Sequence, residues 1–472
     1  MKVLYAAAEA APFIKVGGLG DVMGGLPKEL CKEGIDARVV IPMYSQINEE
    51  MRKKAEFVTS ISVPLGWRMS YCGIFKAEID GVTYYLIDNE QYFKRAGVYG
   101  EFDDAERFSF FSKAVLEILP HIGFFPDIIN ANDWHTALVP LYLNAFYRNI
   151  NEYRNIKTVL SIHNIEFQGQ YDPLILGHVL GLDVTYRSIF MYDGCLNILK
   201  AGIESANIVT TVSKNYAQEI LDPYFSCGLH NILEPRKYKL RGIVNGIDTE
   251  TFNPKTDPNI YHNYDYSSIR FKTNNKKEFQ KDMALEVDSK KPLIGMVTRL
   301  TSQKGMDLIG EVMRELVKLD MQFVVLGTGY PEYEGMMRYW ENECHDKVRG
   351  IIKFSSELAS KIYAASDLFL MPSKSEPCGL AQMIAMRYGT VPIVHAVGGL
   401  GETVHPYNPE TKEGNGITFQ SYNAWDMFDA IKRGLALYND KENWKVLRKN
   451  AMHTDFSWAV SAKEYIEIYK NL

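Results

Sequence analysis

No apolar run among the 472 residues reaches the roughly 18 that a bilayer-crossing helix needs, so no membrane span is expected. The N-terminal apolar stretch lacks the basic n-region and long h-region of a secretory signal. Cysteine is sparse: six residues, Cys31, Cys72, Cys195, Cys227, Cys344 and Cys378, with no C-x-x-C pair and no metal-ligand spacing. That usage reads as reduced thiols in a cytoplasmic protein rather than a disulfide framework, and no metal set is expected. There is no strong excess of one charge. The 52 Lys and Arg against 58 Asp and Glu leave −6, which argues against nucleic acid as the main partner. It also makes local cations informative. No repeat of fixed period and no low-complexity block occurs. Two phosphate-binding fingerprints are missing as well. Counting from Gly18, G-x-G-x-x-G would need its third glycine where Met23 stands, and a P-loop would need Lys-Ser/Thr where Leu26 and Pro27 follow Gly25.

What is present is the composition of a globular protein, 46% hydrophobic and 23% charged, with length for two or three domains. Short apolar runs at 38–41, 84–87, 127–130, 158–162 and 208–212 alternate with helical stretches such as 106–119, 135–147 and 213–221. A second series of runs follows at 293–297, 323–326, 350–354, 367–371 and 391–394. This alternation predicts α/β architecture: two Rossmann-like, doubly wound, mostly parallel sheets facing a central cleft. The polar, turn-rich segment from Asn245 to about Lys290 reads as the interdomain connection. In such sheets ligands bind beyond the carboxyl ends of the strands, and the chemistry-bearing motifs all follow strands.

The first is Lys15-Val16-Gly17-Gly18-Leu19-Gly20-Asp21, between an apolar strand and a helix ending near Glu33. Its glycines allow close backbone approach, its helix start favours an anion, Lys15 adds a positive charge, and Asp21 can cap the helix or bind a hydroxyl. That combination suits phosphate plus sugar; a plain structural turn is the alternative. Arg299 and Lys304 follow the strand at 293–297 and suit a diphosphate, whose growing charge they would stabilise as it leaves. The alternative is a pair of solvated cations. In Ser373-Lys374-Ser375-Glu376-Pro377-Cys378-Gly379-Leu380 a carboxylate lies at a loop–helix junction where it can hold sugar hydroxyls, or simply favour the helix dipole. Cys378 reads as a buried structural thiol, no base being evident nearby. Gly398 and Gly399 form a second glycine loop after the strand at 391–394. Asp133 and His135 follow one strand of the first series, and His163 and Asn164 follow another. Both pairs are placed where a cleft wall is expected.

Together these motifs resemble the bacterial glycogen synthase and plant starch synthase family, retaining glycosyltransferases of the two-domain GT-B architecture. The resemblance is carried by 15–22, 132–136, 161–169 (Ser-Ile-His-Asn-Ile-Glu-Phe-Gln-Gly), 244–248, 299–305, 376–380, 398–400 and the closing Phe456-Ser457-Trp458. It implies domains at 1–245 and 246–456 and a terminal helix, 457–472, that crosses back to the first domain. It implies transfer of glucose from ADP-glucose to the non-reducing end of an α-1,4-glucan, with UDP-glucose or a small acceptor as the alternative. The implied partners are a nucleotide sugar and glycogen, with no nucleic acid, membrane, metal or cofactor. By this resemblance His163, Arg299, Lys304 and Glu376 form the catalytic set. Lys15, Gly18, Asp21, Cys378, Gly379, Leu380, Gly398 and Gly399 bind the donor, and Asp133, His135 and Asn164 meet sugar or acceptor. Ala381 and Val397 stand where the family commonly has Thr, removing hydroxyls near the expected phosphates. No carboxylate nucleophile stands out, which favours a front-face reaction over double displacement.

Overall fold

A computed structural model describes all 472 residues. The chain divides into two compact units, Met1–Gly246 with Trp458–Leu472, and Ile247–Ser457. In the first, β1 (Lys2–Ala6), β2 (Asp36–Pro42), β3 (Glu56–Leu65), β4 (Arg68–Ile79), β5 (Val82–Asp88), β6 (Ile128–Asn132) and β7 (Lys157–Ile162) precede a small sheet. That small sheet comprises β8 (Gln170–Tyr171), β9 (Met191–Tyr192) and β10 (Cys195–Asn197); β11 (Ile208–Thr211) and β12 (Leu240–Gly242) follow. The main sheet runs β12-β11-β7-β6-β1-β2-β5-β4-β3. Every pair from β12 to β5 is parallel, whereas β3, β4 and β5 pair antiparallel. The parallel strands are buried on both faces, as their unbroken apolar runs require. The β3–β4 hairpin escapes the apolar-run reading because its residues alternate between packed and open positions.

The helix Gly18–Lys32 buries Leu19, Val22, Met23, Leu26 and Leu30, one stripe at helical spacing. The closing helix, Trp458–Lys470, packs against it. The fit is close at Gly25, where an added Cβ would stand 2.0 Å from Trp458 Nε1. At its far end the Tyr469 hydroxyl reaches Tyr5 at 2.6 Å and accepts from Asn130 Nδ2 at 2.8 Å, beneath the centre of the sheet.

The second unit is a wholly parallel sheet of β13 (Leu293–Val297), β14 (Gln322–Leu326), β15 (Val348–Ile351), β16 (Leu368–Met371), β17 (Val391–His395) and β18 (Ile417–Phe419). Its order is β15-β14-β13-β16-β17-β18. The segment expected as a connection mostly belongs to this unit. It contains the helix Phe271–Asp282, two of whose lysines, Lys272 and Lys276, are anchors rather than linker charge. Lys272 Nζ donates to the carbonyls of Tyr363 and Ala364 and to Thr390 Oγ1, and Lys276 pairs with Asp367 at 2.7 Å. Long lysine stems explain the misreading: they bury carbon while their tips find acceptors, so the segment looks polar in sequence and is packed in space.

Candidate active site

Parallel pairing of β1, β6 and β7 brings their carboxyl ends to one edge of the first sheet, with Asn132 opposite Ser161. Residues 30 apart therefore meet: Asp133 Oδ1 accepts from the backbone N–H of His163 at 2.7 Å, and more weakly from that of Asn164 at 3.5 Å. Asp133 holds φ at 56°, a left-handed conformation uncommon outside glycine that turns the chain sharply off β6. Burial raises its carboxyl to about 7, against the opposing pull of the two N–H donors. Burial also lowers the His163 imidazole to about 4, so the ring is neutral at neutral pH. Its Nε2 lies 2.9 Å from Asn132 Oδ1.

A third strand end contributes Glu9, which sequence reading passes over. Its carboxylate accepts from the backbone N–H of Val16 and, at 3.0 Å, of Gly17. Burial raises its pKa, opposed by these two bonds and by one from Tyr99, and the nearby Asp133 charge raises it further. Two N–H groups of the glycine loop are thus already taken, and anion-binding capacity passes to the first turn of the helix that starts at Gly18. Asp21 does not cap that helix: the N-cap is Gly17, without a side-chain bond, and Asp21 pairs with Lys15 Nζ at 2.6 Å. Gly18 is unusual among the glycines here. Its φ is not left-handed, and an added Cβ would meet nothing within 4 Å. Neither backbone nor packing requires glycine there.

His135 does not stand on an open wall. It is 8% exposed, ringed by Trp134, Tyr99 and Phe108 at 4.3, 4.6 and 4.6 Å, with its buried Nδ1 lacking a partner. Burial, reinforced by Arg107, lowers it to about 3. Asn164 accepts the Glu166 N–H at 3.0 Å, bending the chain after His163.

In the second unit, β13 and β16 are neighbours, so the loops following them interlock. Gly305, at φ 79°, lies so close to Pro372 that a Cβ would stand 2.3 Å from its carbonyl oxygen. This joins residues 72 apart: Lys304 Nζ donates to Glu376 Oε2 at 2.6 Å, and Ser373 Oγ donates to the same oxygen at 3.0 Å. The loop after β17 closes on them, with Gly399 N–H donating to the carbonyls of Glu376 and Pro377 at 3.1 Å. A Cβ on Gly399 would be 2.2 Å from the Cys378 carbonyl oxygen. Cys378 is a buried thiol outside any disulfide, Gly379 and Gly398 have positive φ, and Leu380 leads into the helix Ala381–Arg387. Arg299 is exposed, its guanidinium 3.5 Å from Gln303 Oε1. His395, the last residue of β17, places both ring nitrogens against carbonyls: Ser373 at 2.7 Å and Gln420 at 3.1 Å.

Glu376 is 8% exposed, not the loop-exposed acid that its sequence context implies. Glu376→Gln is therefore expected to lower the Tm as well as kcat, because it strips Lys304 of its counter-charge at a site of about 3 kcal/mol. Thermal unfolding beside steady-state kinetics checks this; an unchanged Tm would show that the pair contributes nothing to folding. Asp133 gives a pH signature. Its folded pKa of about 7 exceeds the ordinary 3.8, so stability falls as pH rises from 4 to 7 and levels off above. Asp133→Asn keeps an oxygen for the two N–H donors. Its Tm advantage over the parent should be absent near pH 4, grow to pH 7 and then hold, as read by calorimetry; a constant difference would refute the shift.

Residues 2–235 match the family described as starch synthase catalytic domain, and residues 277–454 match glycosyl transferases group 1. The chain is 48% identical to the glycogen synthase of Clostridioides difficile (strain 630) over 478 aligned residues, covering 100% of both chains. It is 49% identical to that of Clostridium acetobutylicum, covering 100% of this chain and 99% of the relative. Among solved structures, the catalytic domain of starch synthase IV from Arabidopsis thaliana, bound to ADP and acarbose, superposes with a TM-score of 0.91 at 36% identity. That match covers 99% of this chain and 98% of the other. Sucrose-phosphate synthase from Thermosynechococcus elongatus shares the fold at a TM-score of 0.63 and 17% identity, covering 100% and 98%. With glycogen synthases matching it from end to end, the chain belongs to the glycogen synthase family of glycosyltransferases.

Proposed function

We propose that this protein transfers glucose from ADP-glucose to the non-reducing end of an α-1,4-glucan, with retention at the anomeric carbon. The observation that carries the reading is the Lys304–Glu376 contact at the interlocked strand ends of the second unit. A cation suited to a leaving diphosphate and a carboxylate suited to sugar hydroxyls are held within one hydrogen bond. Relatives named glycogen synthase, and a starch synthase structure bound to ADP, support the same donor and acceptor. In the reaction the bond from C1 to the diphosphate breaks and a bond from C1 to the acceptor oxygen forms on the same face. The acceptor's hydroxyl proton passes to the departing diphosphate. Lys304 and Arg299 stabilise the charge that grows there. Lys15 and the helix start at Gly18 supply further positive potential, and neutral His163 hydrogen-bonds the sugar. Charge neutralisation by these side chains dispenses with a metal, and the reaction belongs in the cytoplasm. No helix is long and apolar enough to cross a membrane.

Radiolabelled transfer to glycogen, run in parallel from ADP-glucose and UDP-glucose, tests the proposal. Label incorporated from ADP-glucose, released by an α-1,4-specific amylase and undiminished by EDTA, is the expected result. Preference for UDP-glucose would revise the donor. No incorporation from either would overturn the reading.

A further inference from the structure

His163 can exist in two neutral tautomers, and which one it adopts decides whether it offers a neighbouring sugar a donor or an acceptor. The answer lies in Asn132, the last residue of β6. Asn132 is 1% exposed, and its Nδ2 donates to two backbone carbonyls, Ala6 at 3.0 Å and Asn130 at 3.1 Å. Those carbonyls accept and cannot donate, so turning the carboxamide over would set its oxygen against two oxygens and lose both bonds. The backbone of Asn132 is held as well: its N–H donates to Thr136 Oγ1 at 2.6 Å, and the Thr136 hydroxyl contacts the Asn132 carbonyl at 2.8 Å. Asn132 Oδ1 is thereby committed as an acceptor, and it faces His163 Nε2 at 2.9 Å. No protein group is bonded to Nδ1. Asp133 engages the backbone N–H of His163, not its ring, so the carboxyl does not compete for the ring proton.

We propose that Asn132 is the positioning residue that fixes His163 as the Nε2–H tautomer, so that Nδ1 presents a lone pair which accepts a hydrogen bond from a sugar hydroxyl. The depressed basicity of the ring agrees with this, since a proton on Nδ1 would abolish the acceptor. The sugar hydroxyl rests on the proposed glucosyl transfer; the tautomer does not. Asn132 acts through His163 rather than on substrate, as partners that set the orientation of a histidine do.

The protein labelled with 15N-histidine, observed at pH 7.5 by long-range 1H–15N correlation, tests this directly; His163→Gln identifies the signal by its loss. A pyridine-like Nδ1 and a pyrrole-like, protonated Nε2 are expected for His163. A protonated Nδ1, or two nitrogens averaged between tautomers, overturns the assignment even if transfer to glycogen is normal. Conversely, absence of transfer in the parent protein would remove the sugar while leaving the tautomer standing. Asn132→Ala should average the two nitrogens and lower kcat on the order of 10-fold, with donor KM changed less than about 3-fold. A wild-type kcat with an averaged ring would show that the tautomer has no part in turnover. Should Asn132→Ala not fold, the spectrum of the parent protein still decides.

Discussion

Lys304→Ala is expected to lower kcat by on the order of 10²–10³, the loss that follows removal of one preorganised donor to developing charge. The structure adds a complication. Lys304 is hydrogen-bonded to Glu376, and their side chains are 16% and 10% exposed, so truncation also leaves a partly buried carboxylate with Ser373 as its remaining side-chain donor. Some of the damage will therefore appear as lost stability, about 3 kcal/mol by analogy with other broken buried pairs. The double substitution Lys304→Ala with Glu376→Gln separates the two effects. Removing the stranded charge should recover much of the Tm while recovering none of the turnover. Kinetics measured well below the lowest Tm decide the matter. A kcat within threefold of the parent in Lys304→Ala would take Lys304 out of the catalytic set, and a double variant that regained activity along with stability would make the pair structural.

Gly18→Ala is expected to lower kcat/KM for the donor about 10²-fold, the scale of a misplacement near 1 Å, while leaving the Tm unchanged or slightly raised. The added methyl meets no protein atom within 4 Å, and no left-handed φ is strained. It also sits at the first position of the helix Gly18–Lys32, where alanine restricts the unfolded chain more than glycine does. Gly399→Ala makes the contrast. There the methyl would collide with the Cys378 carbonyl 2.2 Å away, and activity and fold should fail together. Melting curves and donor saturation curves for the two variants check the distinction. A Gly18→Ala enzyme with full activity would show that no ligand occupies the open space above the helix start.

Most of the parallel strands of both sheets were readable because they are covered on both faces and stand as hydrophobic runs; the three-residue edge strands β12 and β18 were too short to stand out. The β3–β4 hairpin was not readable, since its alternating exposure interrupts the run. The helix Phe271–Asp282 was not either, since its buried lysines carry the composition of a linker. Among the candidate site residues, Lys15, Asp133, His163, Lys304 and Glu376 lie in strand-end loops, where the order of elements alone directs attention. His135 lies in the same kind of loop, and its aromatic surroundings come from helices and loops that local pattern does not reveal.

Residue order determined which side chains sit at strand ends and how far apart they are along the chain. It did not determine which strand ends are neighbours. That β6 lies between β1 and β7, and β13 beside β16, follows from sheet order and register, fixed by packing over the whole unit. Hence the Glu9 carboxylate under the glycine loop, the Asn132 carboxamide against His163, the two carbonyls around His395 and the burial of Glu376 emerged only in three dimensions. Each depends on a hydrogen bond, and a hydrogen bond needs its partners within about 3 Å at the right angle. Spacing along the chain does not encode that condition. The packed sheet imposes it.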